Sequence, residues 1–216
     1  MKLSNQIEEA LETLWVHTHE MHEDHMRADD ITPGDPATLE EMAKNNLIVL
    51  EGGNVTLTPK GVKEGRAVIR RHRLAELLLT EVLDVKGEDL IHDTACAFEH
   101  LLRKGIDEKI CILLGHPKVC PHGKAIPPGK CCEKRLEELD QSVVPLSSLK
   151  PEQIGKITYL RTKESKELQK LMAMGMLPGT SIRLIRSFPS YVFRMGYTQF
   201  AVDRQIAHEI FVRLIN

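Results

Sequence analysis

No apolar run in this chain of 216 residues approaches the ~20 residues that a membrane-crossing helix needs. The opening Met-Lys-Leu-Ser-Asn-Gln lacks the apolar stretch of a secretory leader. A cytoplasmic protein with no membrane partner is therefore expected. A positive charge excess is also missing. The net charge is -2, so any contact with nucleic acid must come from a local patch. The five cysteines are an odd number, and Cys131 and Cys132 are adjacent. That argues against a secreted disulfide framework and for thiols with metal or redox roles. Catalytic signatures are absent as well: no Ser-His-Asp arrangement, no Walker or Rossmann glycine motif, no carboxylate pair set up for acid–base work. The chain reads as a non-enzyme. Its length suffices for two or three small domains with cores of their own.

What is present is concentrated between Arg70 and His100. Two segments there lack proline and repeat Leu, Ala and Val at three- and four-residue intervals, which predicts helices. The second carries Cys96, Glu99 and His100 at i, i+3 and i+4, with His92 one turn earlier on the same stripe. The first carries His72 and Glu76 at i, i+4. Taken alone, that pair reads as a solvated helix face, and a single helical cysteine reads as core. Together, thiolate, imidazole and carboxylate facing one way suit a first-row transition metal such as Fe(II), Mn(II) or Co(II).

The run His-Arg-Leu-Ala-Glu from His72, followed by His-Asp-x-Ala-Cys-x-x-Glu-His from His92, resembles the diphtheria-toxin-repressor (DtxR/MntR) family of metal-dependent transcriptional regulators. The resemblance implies an N-terminal winged helix-turn-helix, a helical dimerisation and metal-binding domain, and a C-terminal SH3-like β barrel, mainly α with a small β part. It implies a primary metal site of Cys96, Glu99 and His100. Aligning Leu11-Glu12-Thr13-Leu14-Trp15 with the family's first helix adds Glu9 to that site, where iron-type members often have Met and manganese-type members Asp. Glu12 matches a further carboxylate ligand of manganese-type members. Without the family, both would read as a solvated helix face. The implied ancillary site is His72, Glu76 and His92 with Glu164 and Glu167 from the barrel.

Taken in order, residues 5–26 predict one amphipathic helix, with Ile7, Leu11, Leu14 and Trp15 at helical spacing. His17, His19, His22 and His25 scatter around that helix and read as surface. Asp35 or Thr38 can cap a helix through Leu39 and Met42 to Asn46. Leu47–Leu50 and Val55–Thr58 around Gly52-Gly53 predict a hairpin. Helix, helix and hairpin make residues 1–61 a winged helix-turn-helix, in degenerate form. By alignment its reading helix is about three residues short, and residues 27–50 hold two basic residues, Arg27 and Lys44, against five acidic ones. Six basic residues from Lys60 to Arg73 face only Glu64 and partly compensate. Candidate DNA contacts are Thr38, Lys44, Lys60, Lys63 and Arg66.

Residues 62–132 are the expected helical dimerisation and metal-binding domain, ending in a Cys-rich loop over 111–132. Soft donors gathered on a Pro- and Gly-rich loop suggest zinc or an iron–sulfur cluster. Cys120, Cys131, Cys132 and Cys111 are the expected ligands, with His116 and His122 lying between them. A loop of reduced, partly buried thiols is the other reading. Residues 133–144 read as a charged linker. Over 145–216, short strands at 144–146, 155–160, 181–185, 192–195 and 199–202 are interrupted by a helix over 163–174. Leu171-x-x-Met174-Gly175-Met176-x-Pro178-Gly179-Thr180 resembles the signature of the FeoA-like SH3 barrel.

These readings converge on a cytoplasmic, homodimeric repressor that binds double-stranded operator DNA with Fe(II) or Mn(II) as co-repressor. The alternative is a metal-sensing adaptor that does not bind DNA and acts through its FeoA-like domain on a partner such as an iron transporter.

Overall fold

The structure, a computed structural model, describes residues 3–32, 34–102, 105–133, 143–162 and 164–215. The chain packs as two compact units, Met1–Ala75 with Asp93–Arg103, and Glu76–His92 with Lys104–Asn216.

In the first unit, α1 (Asn5–His19) starts where the Ser4 hydroxyl accepts the Ile7 N–H at 3.3 Å. It buries Ile7, Ala10, Leu11 and Leu14. The helix predicted over 5–26 therefore ends early. Beyond His19 the sequence loses its apolar row, His22 takes a left-handed conformation, and Met26–Arg27 becomes strand β1. A single 3-10 turn (Ala28–Asp30) precedes α2 (Pro36–Lys44). Asp35 caps α2, accepting the Thr38 N–H at 3.0 Å and the Thr38 hydroxyl at 2.6 Å. The expected hairpin is present as β2 (Ile48–Glu51) and β3 (Asn54–Leu57). Gly52 and Gly53, both at positive φ, make its turn. The pairing of β1 with β3 adds a third strand that the sequence did not announce, in the order β1-β3-β2. Leu39 and Met42 of α2, Leu47, Ile48 and Val55 close one core with the apolar face of α1.

The long α3 (Pro59–Leu77) begins in the first unit and ends in the second, passing into a π turn at Leu78–Val82. Gly87 precedes α4 (Glu88–Glu99), and α5 (Ile106–Leu113) follows. The predicted linker falls largely on 134–142, outside the described residues, as do Pro33, Arg103, Lys104 and Lys163 of the predicted turn and helices.

In the second unit, β4 (Val143–Pro145), β5 (Ile154–Leu160), α6 (Ser165–Ala173), β6 (Ser181–Arg186), β7 (Tyr191–Met195), β8 (Thr198–Val202), α7 (Arg204–Glu209) and β9 (Ile210–Leu214) follow in order. The sheet runs β4-β9-β5-β6-β7-β8 and is open, not the closed barrel expected. Its edge strand β4 is three residues long and contains Pro145, which has no N–H to extend the ladder. Strand β9, absent from the sequence reading, pairs with both β4 and β5. Leu171, Met176, Leu184, Phe193 and Val212 form the core beneath the sheet.

Candidate metal centres

Four groups of ligand atoms, each within 4.8 Å of its group members, occur among the described residues. Two lie in the first unit. Glu9 from α1 meets Cys96 of α4 and His100 just beyond it, with His100 Nε2 3.5 Å from Glu9 Oε1. Glu12 from α1 meets His72 of α3 and Glu99 of α4. His72 Nδ1 is 2.8 Å from Glu99 Oε2 and 3.8 Å from Glu12 Oε1. Cys96 and Glu99 are one helix turn apart, yet only Cys96 joins Glu9. Glu99 turns fully inward to His72. Of the expected primary set, Glu9, Cys96 and His100 come together, while Glu99 joins Glu12 and an expected ancillary ligand.

The donors fit a divalent cation. His100 Nε2 and Glu99 Oε1 are buried with no hydrogen-bond partner, an arrangement that costs free energy unless something is bound there. Burial pushes the Cys96 thiol up to about 11, helped by the carboxylates of Glu99, Glu9, Glu12 and Asp93. The same carboxylates would attract a cation. Glu8, which sequence reasoning missed, completes the arrangement. Its Oε2 lies 2.7 Å from His100 Nδ1, and its Oε1 accepts from Arg71 Nη2 at 2.7 Å. A carboxylate on one imidazole nitrogen orients the other toward a metal. The signal was available: Glu8 stands one position before Glu9 and one helical turn before Glu12. Glu8→Gln should weaken Mn(II) or Fe(II) binding about 10–100-fold, the usual cost of losing such a partner. Titration calorimetry checks this, and an unchanged affinity would show that Glu8 only pairs with Arg71.

The other two groups lie in the second unit. Glu76 meets Cys120 and His122, with His122 Nδ1 3.0 Å from Glu76 Oε1. Burial raises the Cys120 thiol, against the lowering effect of the His122 and Lys124 backbone N–H groups. Cys111, His116, Cys131 and Cys132 form the fourth group. Cys120 was expected with the other loop cysteines and stands apart from them. His122 and His116 are the ligand-type residues that the expected set omitted; Cys120-x-His122 and Cys111-x4-His116 were their sequence signal.

His92 is exposed and belongs to none of these groups among the described residues. Neither do Glu164 and Glu167. They sit at the N-cap and in the first turn of α6 and line a surface cleft with Lys166 and Lys170. The helix dipole suits carboxylates there without a metal.

The candidate DNA contacts divide by exposure. Lys60, Lys63 and Arg66 are exposed at three-residue steps along α3, although Lys60 Nζ also donates to Asn45 O at 2.7 Å. The other half of the basic run turns inward. Arg70 is buried, Arg71 pairs with Glu8, and Arg73 pairs with Glu20 at 2.5 Å. Thr38 is buried against Asp35, so its hydroxyl does not reach the surface. Lys44 is exposed and pairs with Glu40 at 3.1 Å.

Residues 58–128 match the family model described as the metal binding and dimerisation domain of the iron dependent repressor, and residues 144–214 match the FeoA domain. The chain shares its metal binding and dimerisation segment with the iron-dependent repressors. Among similar proteins, the diphtheria toxin repressor of Corynebacterium jeikeium is 26% identical over 209 residues, covering 88% of this chain and 87% of that protein. The iron-dependent repressor IdeR of Mycobacterium tuberculosis is 33% identical over 102 residues, covering 47% of this chain and 44% of that protein. The solved structure of the manganese regulator SloR has the same fold. It has a TM-score of 0.51 and 20% identity, and covers 99% of this chain and 100% of that one. No helix among the described residues is long and apolar enough to cross a membrane.

Proposed function

We propose that this chain is a homodimeric transcriptional repressor, not an enzyme, that binds operator DNA when Fe(II) or Mn(II) occupies the donors of its first unit. The observation that carries the proposal is the pair of adjacent groups, Glu9–Cys96–His100 and Glu12–His72–Glu99, with buried ligand atoms lacking hydrogen bonds. Carboxylate and imidazole with one thiol is a donor set of intermediate hardness, suited to these two ions. The name of the mycobacterial relatives, iron-dependent repressor IdeR, supports iron.

When bound, the ion supplies positive charge that offsets the carboxylates and favours the Cys96 thiolate. Everything else is done by the chain. Glu9 and Glu12 lie on α1, whose Leu11 and Leu14 share a core with Leu39 and Met42 of α2. Restraining α1 against α3 and α4 therefore restrains α2, the reading helix. An effector that favours one arrangement of α2 couples metal to DNA affinity by differential binding. Leu90 and Leu101, in the matched dimerisation segment, are 58% and 70% exposed. Apolar side chains of that size suit a second copy. We assign the ancillary role to Glu76 with Cys120 and His122, in place of His92, Glu164 and Glu167. The Cys-rich loop is a separate soft-donor centre, suited to zinc or an iron–sulfur cluster. Five free thiols suit the reducing cytoplasm, where we place the protein.

The test is anaerobic fluorescence anisotropy on the chain's own promoter, with and without each metal. A coupling of about 5–150-fold is expected. Absence of metal-dependent binding to any promoter fragment would favour a second reading, for which α2 gives a specific reason. Its exposed face presents Glu40 and Glu41 against Lys44. In that reading the protein is a metal-sensing adaptor whose FeoA-like domain meets a partner protein such as an iron transporter.

A further inference from the structure

The Cys-rich loop is held at both ends by one cluster. Helix α5 closes with its last carbonyls satisfied by the following turn: Gly115 N–H donates to Ile112 O at 3.0 Å and His116 N–H to Cys111 O at 2.8 Å. This is the Schellman arrangement, which lays the residue after the glycine back over the last helical turn. An apolar contact normally forms there. Here the two residues are His116 and Cys111. Gly115 has φ +73, and a Cβ on it would lie 2.4 Å from Leu160 O, so the turn admits only glycine. The His116 ring is further set edge-on against Tyr159, with centroids 5.8 Å apart. At the other end of the loop, residues 130–133 turn helically and bring Cys131 and Cys132 to the same place.

Four of the six donor–donor distances are those of a single tetrahedral ion, and all six lie within 4.8 Å. Zinc bonds of ~2.3 Å to sulfur and ~2.0 Å to nitrogen put tetrahedral donors about 3.8 Å apart for two sulfurs and about 3.5 Å apart for sulfur and nitrogen. Cys111 Sγ and Cys132 Sγ are 3.7 Å apart, and Cys131 Sγ and Cys132 Sγ 3.9 Å. His116 Nδ1 is 3.7 Å from Cys111 Sγ and 3.6 Å from Cys132 Sγ. An iron–sulfur cluster distributes its ligands over two or more irons and spreads them wider than one tetrahedral edge. None of the five cysteines forms a disulfide. Cys111 and Cys131 are buried, while His116 and Cys132 open onto a cleft of about 830 Å³ that gives an ion a way in.

We propose that Cys111, His116, Cys131 and Cys132 hold one structural zinc ion, distinct from the groups of the first unit. Binding replaces three thiol protons, released to solvent, with three Zn–S bonds, and imidazole Nδ1 supplies the fourth ligand. No position is left for water, as in closed structural sites. The ion clamps the ends of a loop whose middle is a small hairpin: Ile126 N–H donates to Lys118 O at 2.8 Å, and Cys120 N–H to Lys124 O at 2.9 Å. That hairpin carries Cys120 and His122, so the zinc also presents the donors that meet Glu76.

The experiment uses full-length protein carrying Glu9→Ala and His100→Ala, purified without chelator. Elemental analysis should find one zinc per chain, in colourless protein. Cys132→Ser or His116→Ala added to that background should lose the zinc, or lower its affinity at least ~100-fold in competition with a chromophoric chelator, whereas Cys120→Ser should keep it. Misfolding of those variants does not confound the second readout, made on protein with an intact loop. Cobalt substituted for zinc should give the intense visible bands of a tetrahedral site with a thiolate charge-transfer band. Several results overturn the proposal: no tightly bound metal, iron in place of zinc with or without sulfide, weak octahedral cobalt bands, or equal loss of zinc in Cys120→Ser. None of these readouts involves DNA, so the zinc site stands or falls apart from the repressor reading.

Discussion

Glu99→Gln should abolish the response to metal while leaving the metal-free protein at least as stable as before. Glu99 is fully buried beside Cys96 and Glu12, and its Oε2 meets His72 Nδ1 at 2.8 Å. An amide oxygen can still accept that hydrogen bond, so the fold keeps its contact. What disappears is one negative charge from a crowded acidic cluster. Wild-type protein at an ion concentration of about 100 times Kd should gain about 2.7 kcal/mol. For a chain of this size that is roughly 5–10 °C in Tm. The variant should show almost none of that shift, and metal should no longer change its affinity for DNA. His100→Ala should share the second result, because its Nε2 faces Glu9. Thermal denaturation with and without Mn(II), alongside calorimetry, separates the terms. A full metal-induced shift in Glu99→Gln would remove Glu99 from the ligand set.

DNA affinity should fall steeply with salt, and three side chains should account for the fall. Lys60, Lys63 and Arg66 are the exposed part of the basic run. Three neutralised phosphates per protomer, six per dimer, give a slope of log affinity against log salt near about -5, or roughly a 10³-fold loss between 50 and 200 mM. Lys63→Ala or Arg66→Ala should flatten that slope by about 0.9 for each phosphate left without its cation, and weaken binding to all sequences alike. Arg71→Ala should leave the slope unchanged, because Arg71 is engaged with Glu8. It should act instead on metal affinity, through His100. Lys44→Ala should change which sequence is preferred. A slope unaffected by both Lys63→Ala and Arg66→Ala would rule out phosphate binding along α3.

The order of elements was largely legible because each carries a local signal. The Asp35 cap, the Gly-Gly turn and the apolar rows of α1 and α3 all act within a few residues. What could not be read was set by partners far away in sequence. Strand β1 exists because Met26 and Arg27 pair with Val55 and Asn54, and β9 because it lies between β4 and β5. The metal groups show the same limit. Helical spacing placed Cys96, Glu99 and His100 near one another. It could not say that Glu99 turns to His72 while Cys96 and His100 face Glu9. Nor could it say that His72 and Glu76, one turn apart, join different groups. In the loop, the spacing of the cysteines does not assign a histidine to them, because the turn that returns His116 to Cys111 shows in the sequence only as one glycine.

Glu40 and Glu41 on the outer face of α2 repel phosphate at every sequence alike. On the repressor reading, operator and random DNA lose affinity by the same factor. Occupancy of the operator follows the ratio of the two affinities once most molecules are held on random sequence, so it is preserved. What changes is residence: each molecule spends less time sliding on the duplex and more time in solution. The search for the operator then shifts from one-dimensional tracking toward three-dimensional diffusion.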